Sequence, residues 1–276
     1  MELCFRNSKV CLPSDLPDHL RTERGVFETF CAYRRHDWNG HVWVRGFALH
    51  SKRLAAGAAE LGLSVPASEK IYQALVLALR AVQWEAVSRV LVRMIVVPQG
   101  YFFRLTNWVD QWQETLDSQG GIDLRSIHAT RPTPSIKSCL ASVSLTARAE
   151  AERQGAHEAL LIDPNGTVRE GAWSNFFWVD QADLLHTCGN GVLPGVTREK
   201  VLELCHDEME FVLQEDSLNN ILGNVKEAFI TQATRGITPV RKINKSVLTC
   251  RPPGRITASL LARFEALRYC EEDLIF

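Results

Sequence analysis

Two closely spaced prolines, Pro132 and Pro134, interrupt the chain near its middle and constrain its fold more than any other sequence feature. A proline fixes its own φ, removes a backbone donor and disfavours helix in the residue before it. The segment that contains them therefore predicts an extended connector between two lobes. We expect an N-terminal α+β domain over residues 1–127, a connector over 128–136 and a C-terminal domain over 137–276.

Strand patterns with intervening helices fill both sides of this connector. Runs with the alternation or the β-branched composition of strands cover residues 25–33, 41–47, 90–97, 158–163, 167–170, 175–179, 183–187, 227–232 and 237–242, with a turn at 37–40. Helical spacing covers residues 51–63, 67–84, 138–154, 197–206 and 256–269. Strands that are mostly antiparallel and interleaved with helices predict an α+β fold with two lobes.

Charge and cysteine usage exclude several classes of protein. The 276 residues include 31 basic and 32 acidic side chains. This balance gives no strong positive potential that would attract nucleic acid or an anionic membrane. None of the eight cysteines forms a CxxC pair, so we expect free thiols and no metal site. The first residues lack the pattern of a secretory signal, and no apolar run reaches the roughly 20 residues of a membrane span. These observations predict a cytoplasmic protein.

Four positions could carry chemistry on local grounds. Lys137 follows the connector, where partial desolvation would lower its pKa from about 10.4 and free an amine for Schiff-base chemistry. Glu170 ends a strand and could pair with a protonated heterocyclic nitrogen. The segment 193–198 turns into a helix start that suits a phosphate, and Arg53 could bind phosphate oxygens with its guanidinium. Each has a plainer reading, as an exposed charge or a threonine N-cap, and local sequence leaves both open.

Taken together and in order, these segments resemble fold-type IV pyridoxal-phosphate enzymes, the branched-chain and D-amino-acid aminotransferase family. The matching stretches are residues 25–29, 50–54, 149–151, 155–163, 166–171, 174–177, 193–198, 227–231 and 238–240, together with Lys137. The likeness spans residues 25–243 and is most specific over 137–198. It implies a smaller N-terminal α/β lobe, a larger C-terminal lobe with a pseudo-barrel of strands, pyridoxal 5'-phosphate as cofactor, and a homodimer.

The resemblance also assigns roles residue by residue. Lys137 resembles the lysine that forms the Schiff base and later moves the proton, and Glu170 resembles the carboxylate bonded to the pyridine nitrogen. Arg53 resembles the phosphate-binding arginine, and Leu193 the residue packed on the cofactor ring.

Two phosphate contacts are expected from the resemblance. Val196 and Thr197 match the phosphate-binding backbone at a helix start. Many relatives place a Gly-Thr pair at the second contact, where this chain has Ala233 and Thr234 after Gln232. We therefore expect the backbone of Ala233 and the hydroxyl of Thr234 to serve there, with less support than the first contact has.

Substrate and reaction are less constrained. The family implies transfer of an amino group between an amino acid and an α-keto acid, and Glu28, in a strand that often faces substrate, favours that reaction. Arg104 lies where some relatives carry a carboxylate-binding arginine. Two alternatives stay open: a 4-amino-4-deoxychorismate lyase that eliminates pyruvate with the same lysine and carboxylate, and a non-catalytic relative that binds the cofactor only. Retention of Lys137 and Glu170 argues against the second.

Overall fold

The computed structural model describes residues 1–18, 20, 22, 24–35, 40–206 and 209–276, so the turn expected at 37–40 lies outside the described residues except for Gly40. The chain divides into two compact units. Unit 1 consists of Met1–Val109, Ile136–Ala141 and Leu267–Phe276, and unit 2 consists of Asp110–Ser135 and Ser142–Ala266. The expected connector, residues 128–136, is thus divided between the two units. Its last residue, Ile136, and the first residues of the expected C-terminal domain belong to unit 1.

Unit 1 is an antiparallel sheet with two helices. Its strands are β1 (Glu2–Arg6), β2 (Lys9–Val10), β3 (Val26–Arg34), β4 (Val42–Val44), β5 (Arg89–Val97) and β6 (Gly100–Asn107), and its helices are α1 (Phe47–Glu60) and α2 (Ser68–Arg80). The strand order is β2-β1-β6-β5-β3-β4. Strands β1 and β6 lie outside the expected strand ranges, since neither shows a clear alternation.

Helix α1 begins earlier than its sequence suggested. The expected strand 41–47 is limited to β4, and the expected helix start at Ser51 lies inside α1, which begins at Phe47. The residue before it, Gly46, has φ 65°, a left-handed conformation that turns the chain directly from the strand into the helix. The apolar residues from Phe47 therefore continue a helical face and not a strand.

Residues 137–139 form an added edge of β3 instead of the first turn of the predicted helix at 138–154. The amide of Phe27 donates to the carbonyl of Lys137 at 3.0 Å, and the amide of Cys139 donates to the carbonyl of Gly25 at 2.8 Å. This edge is available because β4 pairs only with the far end of β3. Helix α4 consequently starts at Ser142, four residues later than predicted.

Unit 2 is larger and contains a curled nine-stranded sheet, which confirms the pseudo-barrel expected for the second lobe. Its strands are β7 (Ile122–His128), β8 (Glu158–Ile162), β9 (Val168–Gly171), β10 (Asn175–Asp180), β11 (Leu185–Thr187), β12 (Phe211–Leu213), β13 (Val225–Gln232), β14 (Gly236–Ile243) and β15 (Ser246–Val247). The order is β12-β11-β10-β13-β14-β7-β8-β9, with β15 beside β14. The pairs β7–β8, β7–β14 and β11–β12 are parallel and the others are antiparallel.

Both faces of this sheet are covered by buried cores, since alternate residues of its strands belong to two different hydrophobic clusters. Its helices are α3 (Gln113–Gln119), α4 (Ser142–Arg153), α5 (Val196–His206), α6 (Leu218–Asn224) and α7 (Arg255–Ala266). Phe177 of β10 stacks on Phe229 of β13 at 4.9 Å in a core that also contains Leu260 of α7. A fully buried phenylalanine contributes on the order of 2 kcal/mol, so this core holds the start of β10 firmly.

Among the described residues, no helix combines the length and the apolar character that a membrane crossing requires.

Candidate active site

The carboxylate of Glu170 is buried in unit 2 and surrounded by hydrogen-bond donors. Its Oε1 accepts from Arg131 Nη1 at 2.7 Å, and its Oε2 accepts from the backbone N–H of Leu193 at 2.9 Å and from Asn175 Nδ2 at 3.2 Å. The side chain is only 4% exposed. An ionised carboxylate is an acceptor at both oxygens, so three donors stabilise the charged form of Glu170.

Arg131 is a site residue that the sequence did not indicate. It belongs to the proline-containing segment, and its Nη1 also donates to the carbonyl of Pro134 at 3.2 Å. The same segment that was interpreted only as a connector therefore supplies the cation beside Glu170. No local signal marks this role, because the two residues are 39 positions apart.

Asn175 links Glu170 to the start of α5. Its Nδ2 donates to Glu170 and to the carbonyl of Leu193, the latter at 2.9 Å. Gly195 approaches so closely that an added Cβ would lie 2.0 Å from Asn175 Oδ1. A side chain at position 195 would push the helix start away from the asparagine.

The first turn of α5 presents backbone N–H groups at this place. The helix begins at Val196, and Val196 and Thr197 are both 5% exposed. The first N–H groups of a helix have no intrahelical partner and lie at the positive end of its dipole. The expected phosphate contact at these two residues thus stands beside Asn175 and Leu193.

The turn between β13 and β14 lies in the same neighbourhood. Asn175 is the direct cross-strand partner of Thr231, and Ala233 and Thr234 belong to the three-residue loop that the Gln232–Gly236 pair closes. The hydroxyl of Thr231 is buried, and no hydrogen-bond partner for it exists in the described part of the chain. Unit 2 therefore brings the predicted positions of both phosphate contacts to the same end of β10 and β13.

One side chain of that loop points away from this neighbourhood. Arg235 pairs with Asp110 at 2.9 Å and lies over the ring of Trp112 at 3.9 Å. This contact anchors the loop against the body of unit 2.

Lys137 lies in unit 1. Its backbone is fixed by the pairing with β3, and its Nζ lies 4.9 Å from the centre of the Phe27 ring. The side chain is half-buried. A short β-bridge therefore fixes the backbone at this residue, and the Phe27 ring lies beside its amine within the same unit.

Arg53 and Glu28 contact each other in unit 1. Arg53 donates from Nε to Glu28 Oε1 and from Nη2 to Glu28 Oε2, both at 2.7 Å. His50 Nδ1 is also 2.7 Å from Glu28 Oε2. Glu28 is 0% exposed and, as the neighbour of Phe27 in a strand, points to the opposite face of the sheet.

Two arginines lie side by side on the Phe27 face of the sheet. Arg104, expected to bind a carboxylate, donates to Glu2 at 2.7 Å and is 39% exposed. Its direct cross-strand neighbour Arg93 contacts only the hydroxyl of Thr29, at 3.4 Å, among described residues. Burial and the charge of Arg104 lower the pKa of Arg93 to about 10. Unlike Arg104, Arg93 has no carboxylate partner among the described residues, and the sequence did not single it out.

Within the described residues, no group of three or more His, Cys, Asp or Glu side chains is arranged to hold a metal ion.

Comparison with known proteins adds to this geometry. Residues 25–243 match the sequence model of the family described as amino-transferase class IV. A probable branched-chain-amino-acid aminotransferase of Thermotoga maritima is 33% identical over 119 residues, which are 42% of this chain and 43% of that protein. The chain spans about half the length of the curated relatives it matches.

Two solved structures share the fold over nearly the whole chain. A branched-chain aminotransferase from Thermoproteus uzoniensis, solved with norvaline, has a TM-score of 0.84 at 20% identity and covers 99% of both chains. The branched-chain amino acid aminotransferase from Thermobaculum terrenum, solved in its PLP form, has a TM-score of 0.83 at 22% identity and covers 97% of this chain and 94% of that one.

Proposed function

Because this chain belongs to the amino-transferase class IV family, we propose that it is a pyridoxal-phosphate-dependent aminotransferase that moves an amino group between an amino acid and an α-keto acid. The observation that carries the proposal is the buried Glu170 carboxylate with its three donors, beside the start of α5. A ligand that carries both a protonated ring nitrogen and a phosphate needs a carboxylate and a set of backbone donors close together, and this arrangement provides both.

The residues present fit this cofactor. In unit 2, the start of α5 offers backbone donors. The buried hydroxyl of Thr231 has no hydrogen-bond partner among the described residues and would donate a hydrogen bond to an anion. Leu193 is tied to Glu170 through its own N–H, which holds its backbone beside the acid. In unit 1, Lys137 supplies the amine and Arg53 a guanidinium.

Pyridoxal phosphate, when bound, supplies an electron-accepting ring and an aldehyde that reacts with amines. Glu170, held as a carboxylate, would keep the ring nitrogen protonated, and Arg131 would keep Glu170 ionised. Lys137 would hold the cofactor through Nζ and, when released by the substrate amine, would move a proton on that same atom. Val196 and Thr197 would orient the phosphate.

Arg93 is our candidate for the substrate carboxylate, in place of Arg104. A largely desolvated guanidinium without a carboxylate partner binds an anion more strongly than one already paired at the surface. Arg104 keeps its pairing with Glu2 and would raise the positive potential at its neighbour. Glu28, fully buried on the other face of the sheet, is not proposed to touch substrate.

We also propose that the protein acts in the cytoplasm and, from the family resemblance alone, that it forms a homodimer. Light scattering after size-exclusion chromatography tests the second part, and a monomeric mass would contradict it.

The test is spectroscopic and kinetic. Protein reconstituted with the cofactor should absorb visible light in a band that borohydride bleaches, and it should form keto acid from L- or D-amino acids only when an α-keto acid acceptor is present. Lys137→Ala should lose both signals, while Lys245→Ala, a change at an exposed lysine, should keep them. Release of pyruvate from 4-amino-4-deoxychorismate without an acceptor would overturn the proposal in favour of a lyase.

A further inference from the structure

Glu28 uses its whole carboxylate within unit 1. Both oxygens contact Arg53 at 2.7 Å, and Oε2 also contacts His50 Nδ1 at 2.7 Å. The carboxylate is 0% exposed, while the Arg53 side chain keeps 10% of its surface accessible. A ligand can therefore reach the arginine but not the acid.

The charges of this group are fixed by their surroundings. Burial alone would raise the pKa of Glu28, but the Arg53 guanidinium and the His50 N–H lower that pKa to about 2. Burial lowers the pKa of His50, and its Nε2 has no partner among the described residues. His50 donates from Nδ1 to Glu28, because a carboxylate only accepts. Arg53 is paired with a permanent anion.

Arg53 lies on the part of α1 that packs near Lys137. One helical turn later, Gly57 approaches the residue before Lys137, since an added Cβ would lie 3.1 Å from Ile136 and 3.3 Å from Val26. The charge of Lys137 also contributes to the lowered pKa of His50. The Nε–Nη2 edge of the Arg53 guanidinium faces the Glu28 carboxylate.

We propose that Glu28 is a positioning residue: it holds Arg53 in one orientation, so that the guanidinium is already aligned for the cofactor phosphate before the cofactor binds. This inference rests on the proposed function, since it takes the phosphate as the ligand of Arg53. It replaces the expectation that Glu28 binds substrate.

Two effects of Glu28 on phosphate binding oppose each other. Its negative charge repels a phosphate at Arg53, so a neutral residue at position 28 would tighten binding if charge alone mattered. Its two-oxygen contact restrains a flexible side chain, and loss of that restraint would weaken binding. The proposal requires the second effect to be larger.

The experiment compares pyridoxal phosphate with pyridoxal, which has the same ring and aldehyde but no phosphate. Dissociation constants of both are measured on the apoprotein for wild type, Glu28→Gln, Arg53→Gln and the double variant, with thermal unfolding of each apoprotein as a second readout. Glu28→Gln should weaken pyridoxal phosphate binding on the order of tenfold, the scale of a misaligned contact, and leave pyridoxal binding unchanged. In the Arg53→Gln background, the same substitution should have no further effect.

A control removes a buried acid elsewhere. Glu227→Gln takes away a carboxylate that accepts from the amides of Ile256 and Thr257 at the start of α7, and it should leave the preference for pyridoxal phosphate intact. If Glu28→Gln does not fold, Glu28→Asp keeps the charge but withdraws the carboxylate by one methylene, and it should show the same selective loss.

The outcomes separate the inference from the proposed function. Equal losses for both ligands, tighter binding of pyridoxal phosphate, or an effect of Glu28→Gln that persists without Arg53 would overturn the positioning role of Glu28. If Arg53→Gln leaves the preference for pyridoxal phosphate unchanged, the role of Arg53 is wrong and the inference fails with it. If wild type binds neither ligand, the proposed function itself is wrong.

Discussion

Two buried glutamates, Glu28 in unit 1 and Glu170 in unit 2, are each paired with an arginine but are built differently. The partners of Glu28 are both side chains of α1, one turn apart, and the acid is fully enclosed. The donors of Glu170 come from three separate segments, the proline-containing stretch, the start of β10 and the loop before α5. The partners of Glu28 form a local clamp on one helix, whereas the donors of Glu170 show that this acid lies where three separate segments meet.

The largest effect that should distinguish the two glutamates is the change in kcat when each acid is substituted. Glu170→Gln should lower kcat about 10³-fold, the scale of losing one preorganised charge contact in a catalytic site. Glu28→Gln, assayed at saturating cofactor, should keep kcat close to wild type because its effect acts on cofactor affinity. Steady-state kinetics over a range of cofactor concentrations distinguishes them. A similar fall in kcat for both variants would erase the distinction that we draw.

A smaller effect is expected at the arginine beside Glu170. Arg131→Gln removes the cation but keeps hydrogen-bond donors, and we expect kcat to fall about 10- to 100-fold, as for residues that support a primary ligand. Arg131→Lys should recover part of the loss, since it restores the charge. Rates of the three proteins at one pH suffice, and unchanged activity in Arg131→Gln would mean that Glu170 needs no cation.

The smallest expected effect concerns stability against pH, and it contrasts Glu28 with a third buried acid, Glu158. Because the pKa of Glu28 is about 2, below its value in an unfolded chain, its contribution to stability is present above about pH 4.5 and is lost as the pH falls towards 2. Burial raises the pKa of Glu158 to about 7 despite the charge of Arg148, so its ionisation lowers stability as the pH rises towards and through 7. Each effect is at most on the order of 3 kcal/mol.

Chemical denaturation at pH 3.5, 5 and 8 measures both effects. The difference in free energy of unfolding between wild type and Glu28→Gln should shrink from pH 5 to pH 3.5. Glu158→Gln should lose less stability than wild type between pH 5 and pH 8. Differences that stay constant with pH would show that neither carboxylate titrates as its environment indicates.

The sequence predicted the class of fold and the family. Most helices and strands that were predicted from a strong hydrophobic periodicity are present in the structure. Elements were misplaced where a long-range contact decides the backbone conformation. Residues 138–141 have helical spacing, but hydrogen bonds with Gly25 and Phe27, more than a hundred positions earlier, hold the adjacent backbone extended. Local propensity contains no information about such a partner.

The candidate site residues also divide into those that local motifs indicate and those that only long-range contacts place. Lys137, Glu170 and the start of α5 were indicated by motifs, whereas Arg131, Asn175 and Arg93 owe their positions to segments that meet only in the folded chain. One expectation could have been refined from sequence: the strict alternation of a strand already places Glu28 on the face opposite to Phe27. Strand alternation alone could therefore have separated Glu28 from the side chains on the Phe27 face.

The composition of unit 1 from three stretches of chain limits how the protein can be dissected. Its sheet takes one edge from residues 137–139, and the amide of Val42 donates to the carbonyl of the final residue, Phe276, at 2.8 Å. A fragment ending at Val109 would lack both partners and expose unpaired backbone at two places, which invites association with other chains. Splitting the gene at the proline segment would consequently yield aggregation-prone halves and not two autonomous domains.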